Sequence, residues 1–396
     1  MMQISPETQL FIREHSSDDV RVLALQAKKY PDIDMPTAIT QIAGRKVAAE
    51  KIPSWWEIEK IWYPKHLSLE QCSSEITARY KARLLQGDSL TDLTGGFGID
   101  CSFLATGFKS ATYVERQEEL CEIAAHNFPV LNLNHINIKN EDGVTYLQAM
   151  SPVDCLFLDP ARRNEHGGKT VAISDCEPNV AELEELLLQK ANRVMIKLSP
   201  MLDLSLALKE LKQTQEVHIL SVNNECKELL ILLGQTSPTE ISIHCVNLST
   251  KGTQEEQHFV FTREQEQCSE CTYTDSLETY LYEPNASLLK AGAFRSIAAA
   301  YPVRKLHPNS HLYTSDTFIE NFSGRIFRIV NQCSFNKKEV KENLADLKKA
   351  NVTVRNFPAT VAELRKRIHL AEGGDTYLFA STLNNGQKVL IRCEKV

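Results

Sequence analysis

The sequence predicts an α/β fold: a mostly parallel sheet covered by helices, with a helical region before it and an α+β region after it. Three observations predict it. Five short apolar runs, at residues 89–93, 112–114, 136–138, 155–158 and 194–198, alternate with helix-like segments at 118–127 and 180–190; such alternation builds parallel strands joined by helical crossovers. A glycine-rich turn, Gly95-Gly96-Phe97-Gly98, follows the first run directly. Finally, the runs at 217–222 and 229–233 are joined only by residues 223–228. That link is too short for a crossover helix, so the last strand should return antiparallel in a hairpin.

The 396 residues exceed what one core usually supports, and three regions are expected: 1–85, 86–235 and 236–396. The first reads as helical. Val20, Leu23, Leu25 and Ala27 begin an amphipathic segment that Pro31 ends, and Pro36 opens another with Ala38, Ile39, Ile42 and Ala43. Trp55, Trp56 and Trp62, the three tryptophans of the chain, should belong to a small helical core rather than to a base-stacking platform. Beyond Gly234, Ile241, Ile243 and Cys245 and then Phe259 and Phe261 alternate as strands do. Residues 284–300 read as one helix, 360–370 as a basic helix, and Leu383-Asn384-Asn385-Gly386 as a hairpin turn.

Composition narrows the function classes. No stretch approaches eighteen uninterrupted apolar residues and Met1 to Arg13 lacks a signal-peptide pattern, so no membrane partner and a cytoplasmic location are expected. The eleven cysteines are scattered, mostly in apolar runs (Cys101, Cys155, Cys245). Cys268 and Cys271 form the one close pair, and with no second C-x-x-C or H-x-x-x-H no metal site is expected. The net charge of −7 argues against a blanket nucleic-acid binder, yet its distribution is uneven: from residue 281 onward 18 Lys and Arg face 10 Asp and Glu. An acidic body carrying a basic C-terminal third suits a nucleic-acid partner.

The chemistry concentrates at strand ends. Asp92-Leu93-Thr94-Gly95-Gly96-Phe97-Gly98-Ile99-Asp100 links the first strand to a helix, and glycines there let a backbone approach a ligand closely. Glu115 closes the second strand about twenty residues later, where an acid can accept from ribose hydroxyls. Asp142-Gly143 follows the third strand and Asp159-Pro160-Ala161-Arg162-Arg163 the fourth. Singly, each acid reads as readily as a cap or turn residue. Together, at the carboxyl ends of four successive strands, they point to a nucleotide-like ligand.

In order and content these motifs resemble the class I S-adenosylmethionine (SAM)-dependent methyltransferases over residues 70–233, whose sheet is Rossmann-like with an antiparallel last strand. The resemblance implies SAM as cofactor, with Asp92, Thr94, Gly95, Gly96 and Gly98 at its methionine part, Glu115 at its ribose and Asp142 at its adenine. The stretch Glu70-Gln71-Cys72-Ser73-Ser74-Glu75-Ile76-Thr77-Ala78-Arg79-Tyr80-Lys81 is similar to a cofactor-flanking helix of several RNA methyltransferases, which adds Gln71 and Ser74. With Lys197-Leu198-Ser199-Pro200, Glu283-Pro284-Asn285-Ala286 and Ser323-Gly324-Arg325, the chain resembles a bacterial methyltransferase group that carries a C-terminal THUMP-like domain. This implies methyl transfer to RNA, a tRNA or rRNA base, with Asp159 and Pro160 nearest the transferred methyl and Arg162, Arg163, Lys197 and Arg325 toward RNA. Arg162 and Arg163 could equally pair with nearby acids. The aromatic that often follows Asp-Pro in base amino-methyltransferases is absent, and Cys176, after the fourth strand, has nothing activating beside it. The rival readings are a non-catalytic SAM- or RNA-binding protein and a methyltransferase for a protein or small molecule.

Overall fold

The computed structural model describes residues 4–162, 172–236, 238–251 and 256–396. The chain forms two compact units, one of residues 1–215 and 230–238, the other of residues 216–229 and 239–396.

In the first unit the strands are β1 (Ser89–Asp92), β2 (Ser110–Glu115), β3 (Ile136–Asn140), β4 (Val153–Leu158) and β5 (Ala191–Leu198). β1 pairs in parallel with β2 and β4, β2 with β3, and β4 with β5. Next come β6 (Thr214–Val222), β7 (Glu225–Gly234), β8 (Ser242–Leu248) and β9 (Gln257–Thr262), and the strand order is β3-β2-β1-β4-β5-β7-β6-β8-β9. β7 thus inserts between β5 and β6 as the hairpin reading requires. The link is shorter than expected. Only Asn223 and Asn224 lie between the strands, with φ of 50° and 67°, the paired left-handed geometry of a two-residue hairpin turn that asparagine tolerates well. Residues 225–228, though polar, continue the strand.

The helical N-terminal region is not a unit of its own. Helices Met35–Lys51, Pro53–Trp56, His66–Gln71 and Glu75–Ala82 bring Ala48, Ile52, Trp55, Leu69 and Ala78 into one core with Phe97, Ile99 and Ile123 of the sheet region. A few short helices bury too little apolar surface to stand alone. Trp55 is core, Trp62 stacks on His126 at 3.8 Å, and Trp56 stays exposed beneath Arg45.

The second unit holds a seven-stranded sheet of β10 (Tyr280–Pro284), β11 (Arg304–Lys305), β12 (Tyr313–Ser315), β13 (Gly324–Ser334), β14 (Asn351–Val354), β15 (Thr376–Thr382) and β16 (Lys388–Lys395), ordered β11-β12-β10-β13-β16-β15-β14. The single helix expected at 284–300 is instead a strand end and two helices, Ala286–Ala291 and Phe294–Ala300. Asn285 caps the first through its side chain, and Gly292, at φ 77°, ends it. The β15–β16 hairpin and the basic helix, Val361–Ile368 with its Thr360/Glu363 capping box, form where expected. Among the described residues no helix is long and apolar enough to cross a membrane.

Candidate functional site

The first unit gathers the expected residues along the carboxyl ends of its parallel strands. β1 ends at Asp92, and the following turn reaches helix Ile99–Ala105 through Gly96 and Gly98, at φ 54° and 88°. Gly95 has a different reason to be glycine: a Cβ there would collide with the ring of Tyr113. The Tyr113 hydroxyl donates to the Gly96 carbonyl at 2.5 Å, and the Gly96 N–H donates to Glu115 Oε2 at 2.9 Å. Glu115 also accepts from the Gln117 N–H at 2.8 Å. The second strand therefore shapes the turn that follows the first.

Asp92 is almost fully buried. Its Oδ1 accepts from the Thr94 N–H at 2.9 Å, while Oδ2 finds no hydrogen-bond partner among the described residues. Burial pushes its carboxyl up to about 8, against the Thr94 N–H that favours the anion. A buried acceptor without a donor at a glycine turn fits a ligand that brings a cationic donor. That is the chemistry of an amino-acid ammonium.

Asp159 follows β4, and the register that pairs Leu158 with Ile196 of β5 sets the next residues, Asp159 and Lys197, side by side. Lys197 Nζ lies 2.5 Å from Asp159 Oδ2 and 3.2 Å from Asp100 Oδ2. The Asp159 N–H donates to Thr94 Oγ1 at 2.6 Å, tying the fourth strand end to the glycine turn. Burial raises the Asp159 carboxyl above its ordinary value, and Lys197 works against that rise. Its side chain keeps 37% of its exposure, so a substrate can reach it, whereas that of Lys197 keeps 9%. Lys197, expected toward RNA, is thus enclosed and committed to carboxylates: the β4–β5 register, not a phosphate, decides its place.

Sequence reasoning missed the group beneath. Lys81, on helix Glu75–Ala82, is fully buried and pairs with Asp100 Oδ1 at 2.9 Å. Ser73 Oγ donates to Asp100 Oδ2 at 2.7 Å and accepts from Lys81 Nζ at 2.8 Å and Lys197 Nζ at 3.0 Å. Burial disfavours the Asp100 anion, yet Lys81 and Lys197 outweigh it and hold the carboxyl well below the usual range. Two lysines, two aspartates and one serine therefore form a single charge-balanced network running up to Asp159.

The remaining expected residues scatter around this centre. Asp142 is exposed and caps helix Gly143–Ala149, its Oδ1 accepting from the Val144 and Thr145 N–H groups, both at 3.0 Å. Gln71 is exposed at its helix end. Ser74 turns to Thr77 Oγ1 at 3.2 Å, leaving its neighbour Ser73 as the residue that enters the network. Pro160 is buried. Arg163 and the side chain of Arg162 lie outside the described residues. Cys176 is buried in a two-residue ladder pairing Ala161–Arg162 with Cys176–Glu177. In the second unit Arg325 was expected toward RNA; its Nε donates to the buried Glu283 at 2.9 Å, and Arg355 pairs with the other oxygen of that carboxylate at 3.0 Å. That buried carboxylate, whose unpaired charge would be costly, claims both arginines.

The strand order with its inserted β7, and the acids and glycines at the ends of β1, β2 and β4, define the class I methyltransferase fold. The chain is 34% identical, over the full length of both chains and with a TM-score of 0.88, to the crystal structure of a "putative methyltransferase" from Porphyromonas gingivalis W83, and it belongs to that family. A ferredoxin-like domain model matches residues 280–322 and a THUMP domain-like model residues 324–395, so the two matches divide the seven-stranded sheet between β12 and β13. More distant likenesses include a "putative methyltransferase" from Streptococcus mutans in complex with SAH (14% identity, 40% of this chain and 96% of that one, TM-score 0.30) and an rRNA methylase from Streptococcus thermophilus (14%, 40% and 93%, 0.30). No protein of curated function matches the chain significantly.

Proposed function

We propose that this chain is a SAM-dependent methyltransferase that acts on an RNA base, in tRNA or rRNA. The observation that carries the reading is the buried Asp92 Oδ2, without a donor, at a glycine turn whose next-door strand end presents the Asp159–Lys197 pair. Asp92, Thr94, Gly95, Gly96 and Gly98 would hold the methionine part of the cofactor, Glu115 the ribose and Asp142 the adenine edge, with Gln71 and Ser74 flanking it. Bound SAM supplies an electrophilic methyl group, and transfer is an in-line displacement by a nucleophile on the base. Asp159 accepts the proton that the nucleophile loses, Lys197 holds its carboxylate in place, and Pro160 fixes the backbone beside it.

Calorimetric titration with SAM tests the cofactor site. Saturable binding by the wild type and its loss in Asp92→Ala and Glu115→Ala is the expected result; no binding by the folded wild type overturns the reading. A second expectation follows from the Asp92 carboxyl. With its value raised from 3.8 to about 8, the folded protein holds a proton that the unfolded chain has already released near pH 4. This group's contribution to stability is therefore full below about pH 4 and is lost as pH rises through about 8. A cationic donor on Oδ2 favours the anion, so SAM binding at pH 7 should release up to one proton per site, and the release should fade above pH 8. Titration in buffers of different ionisation enthalpy measures it, and Asp92→Asn should abolish it. Release unchanged in that variant would assign the proton elsewhere.

The match to THUMP-like domains and the basic C-terminal third support RNA as the substrate. Arg325 is only half-exposed, whereas a group of exposed cations, Lys337, Lys338, Lys341, Lys348, Lys349, Lys366 and Arg367, lies on or beside helices Lys337–Leu344 and Val361–Ile368. Both helices pack on one core through Leu344 and Leu364. Changing Lys337, Lys338 and Lys341 together to Gln should weaken RNA binding and reduce the slope of log K against log salt by up to about 2, as three lost phosphate contacts would. A filter-binding slope unaltered by the triple change would place the RNA elsewhere. Wild-type affinity indifferent to salt would favour a protein or small-molecule substrate.

A further inference from the structure

The second unit carries a cluster of imidazoles that the methyltransferase reading does not use. Parallel pairing of β6 with β8 sets His218 opposite His244 and Glu216 opposite Ser242. Side chains two apart on a strand share a face, so Glu216, His218 and His244 project to the same side. The alternate residues Val217, Ile219, Ile243 and Cys245 are core. Antiparallel pairing of β8 with β9 adds His258, diagonal to His244 on that same face.

The side chains converge as the backbone register dictates. His218 Nε2 lies 3.2 Å from Glu216 Oε2, and the His218 and His244 rings stack at 4.3 Å with an 18° interplanar angle. One ligating atom from each of Glu216, His218 and His244 lies within 4.8 Å of the other two. Ligands of a tetrahedral zinc ion, bound at about 2.0–2.2 Å, sit roughly 3.3–3.5 Å apart, so small rotations about the side-chain torsions would close the site. His244 has a partner for each ring nitrogen: Ser242 Oγ at 3.1 Å from Nε2 and His258 Nε2 at 3.1 Å from Nδ1. An ion would take one nitrogen while the other keeps its partner, the outer-shell arrangement that fixes a metal-ligating histidine.

We propose that Glu216, His218 and His244 form a binding site for a late first-row divalent cation, zinc being the first choice for two imidazoles and one carboxylate. The site is independent of SAM binding and of the identity of the methylated substrate. The expectation of no metal rested on short-range spacing of Cys and His, whereas these ligands come from two strands separated in sequence by β7.

The test is titration of chelator-stripped, full-length protein with zinc chloride, with cobalt chloride as the spectroscopic probe. The eleven free thiols are the competing ligands, so the titration is repeated on the Cys268→Ser/Cys271→Ser background. The expected result is one tight equivalent in both proteins and a cobalt spectrum without thiolate-to-metal charge transfer. Glu216→Gln and His244→Ala should each weaken binding by at least about tenfold, in the range seen when a site loses a supporting group, and His218→Ala/His244→Ala should abolish it. Glu216, partly exposed, provides a variant whose melting temperature without metal should match the wild type, separating ligand loss from misfolding. Failure of the wild type to bind zinc or cobalt, or binding that persists in the double histidine variant, would overturn the proposal.

Discussion

Asp159→Asn should lower methyl transfer by about 10²–10⁴-fold, the usual share of a positioned proton acceptor, while leaving SAM affinity within a few-fold of wild type. The amide keeps the shape of the side chain and loses the capacity to take a proton. Lys197→Met should reduce the rate in the same direction by another route. Lys197 Nζ touches both Asp159 and Asp100, and without it Asp159 loses its paired cation and faces an Asp100 carboxylate held by Lys81 alone. Burial already raises the Asp159 carboxyl, and losing the lysine removes the largest influence that opposes the rise. The acidic limb of the pH–rate profile should therefore move to higher pH in Lys197→Met and disappear in Asp159→Asn. Transfer of labelled methyl groups into RNA from cells lacking the protein measures both, and full activity in Asp159→Asn would refute its assignment as proton acceptor.

The second large effect is on stability. Lys81→Met should cost about 3–5 kcal/mol, because removing one cation from a buried, charge-balanced network leaves Lys197 alone to neutralise two carboxylates. Lys81 is wholly enclosed, and the Asp100 side chain retains 10% of its exposure. The tryptophans offer a local probe: all three lie at residues 55–62, and Trp55 is buried in the core shared with Ala78 and Ile99, beside Asp100 in sequence. Their fluorescence during urea unfolding reports on this unit without assuming that the whole chain unfolds in one step. The double variant Lys81→Met/Asp100→Asn should cost less than the sum of the single changes, since the residues share one interaction. Additive losses would mean that the two side chains act separately.

The sheet and the outline of the site were legible in sequence because each feature is local. The apolar runs mark strands, and the acid that closes or follows a run marks a strand end. Asp92, Glu115 and Asp159 needed only that rule. The network under Asp159 obeys no local rule. Ser73 and Lys81 precede β1, Asp100 follows it, and Lys197 closes β5, so only the folded sheet brings them together. One signal was available. Lys81 falls three and four residues after Ala78 and Thr77, both buried, so helical periodicity places it on the apolar face, where a lysine needs a buried partner. Arg325 errs in the opposite sense. A basic residue in a basic third reads as a nucleic-acid contact, and nothing in the sequence announces that Glu283, forty-two residues earlier, is buried opposite it across β10 and β13.

The chain moves between its two units more than once: it leaves the first after residue 215, returns at 230 and departs again after 238. Genes for multidomain proteins often tolerate truncation because a domain is one uninterrupted stretch. This chain has no such cut. A stop codon near residue 236 would retain β6 and the turn at Asn223-Asn224 but delete β8, leaving the long row of β6 backbone groups that pairs with β8 open to another molecule. An exposed edge of that length invites aggregation. Late frameshifts should therefore yield insoluble protein rather than a separately folded methyltransferase-fold half.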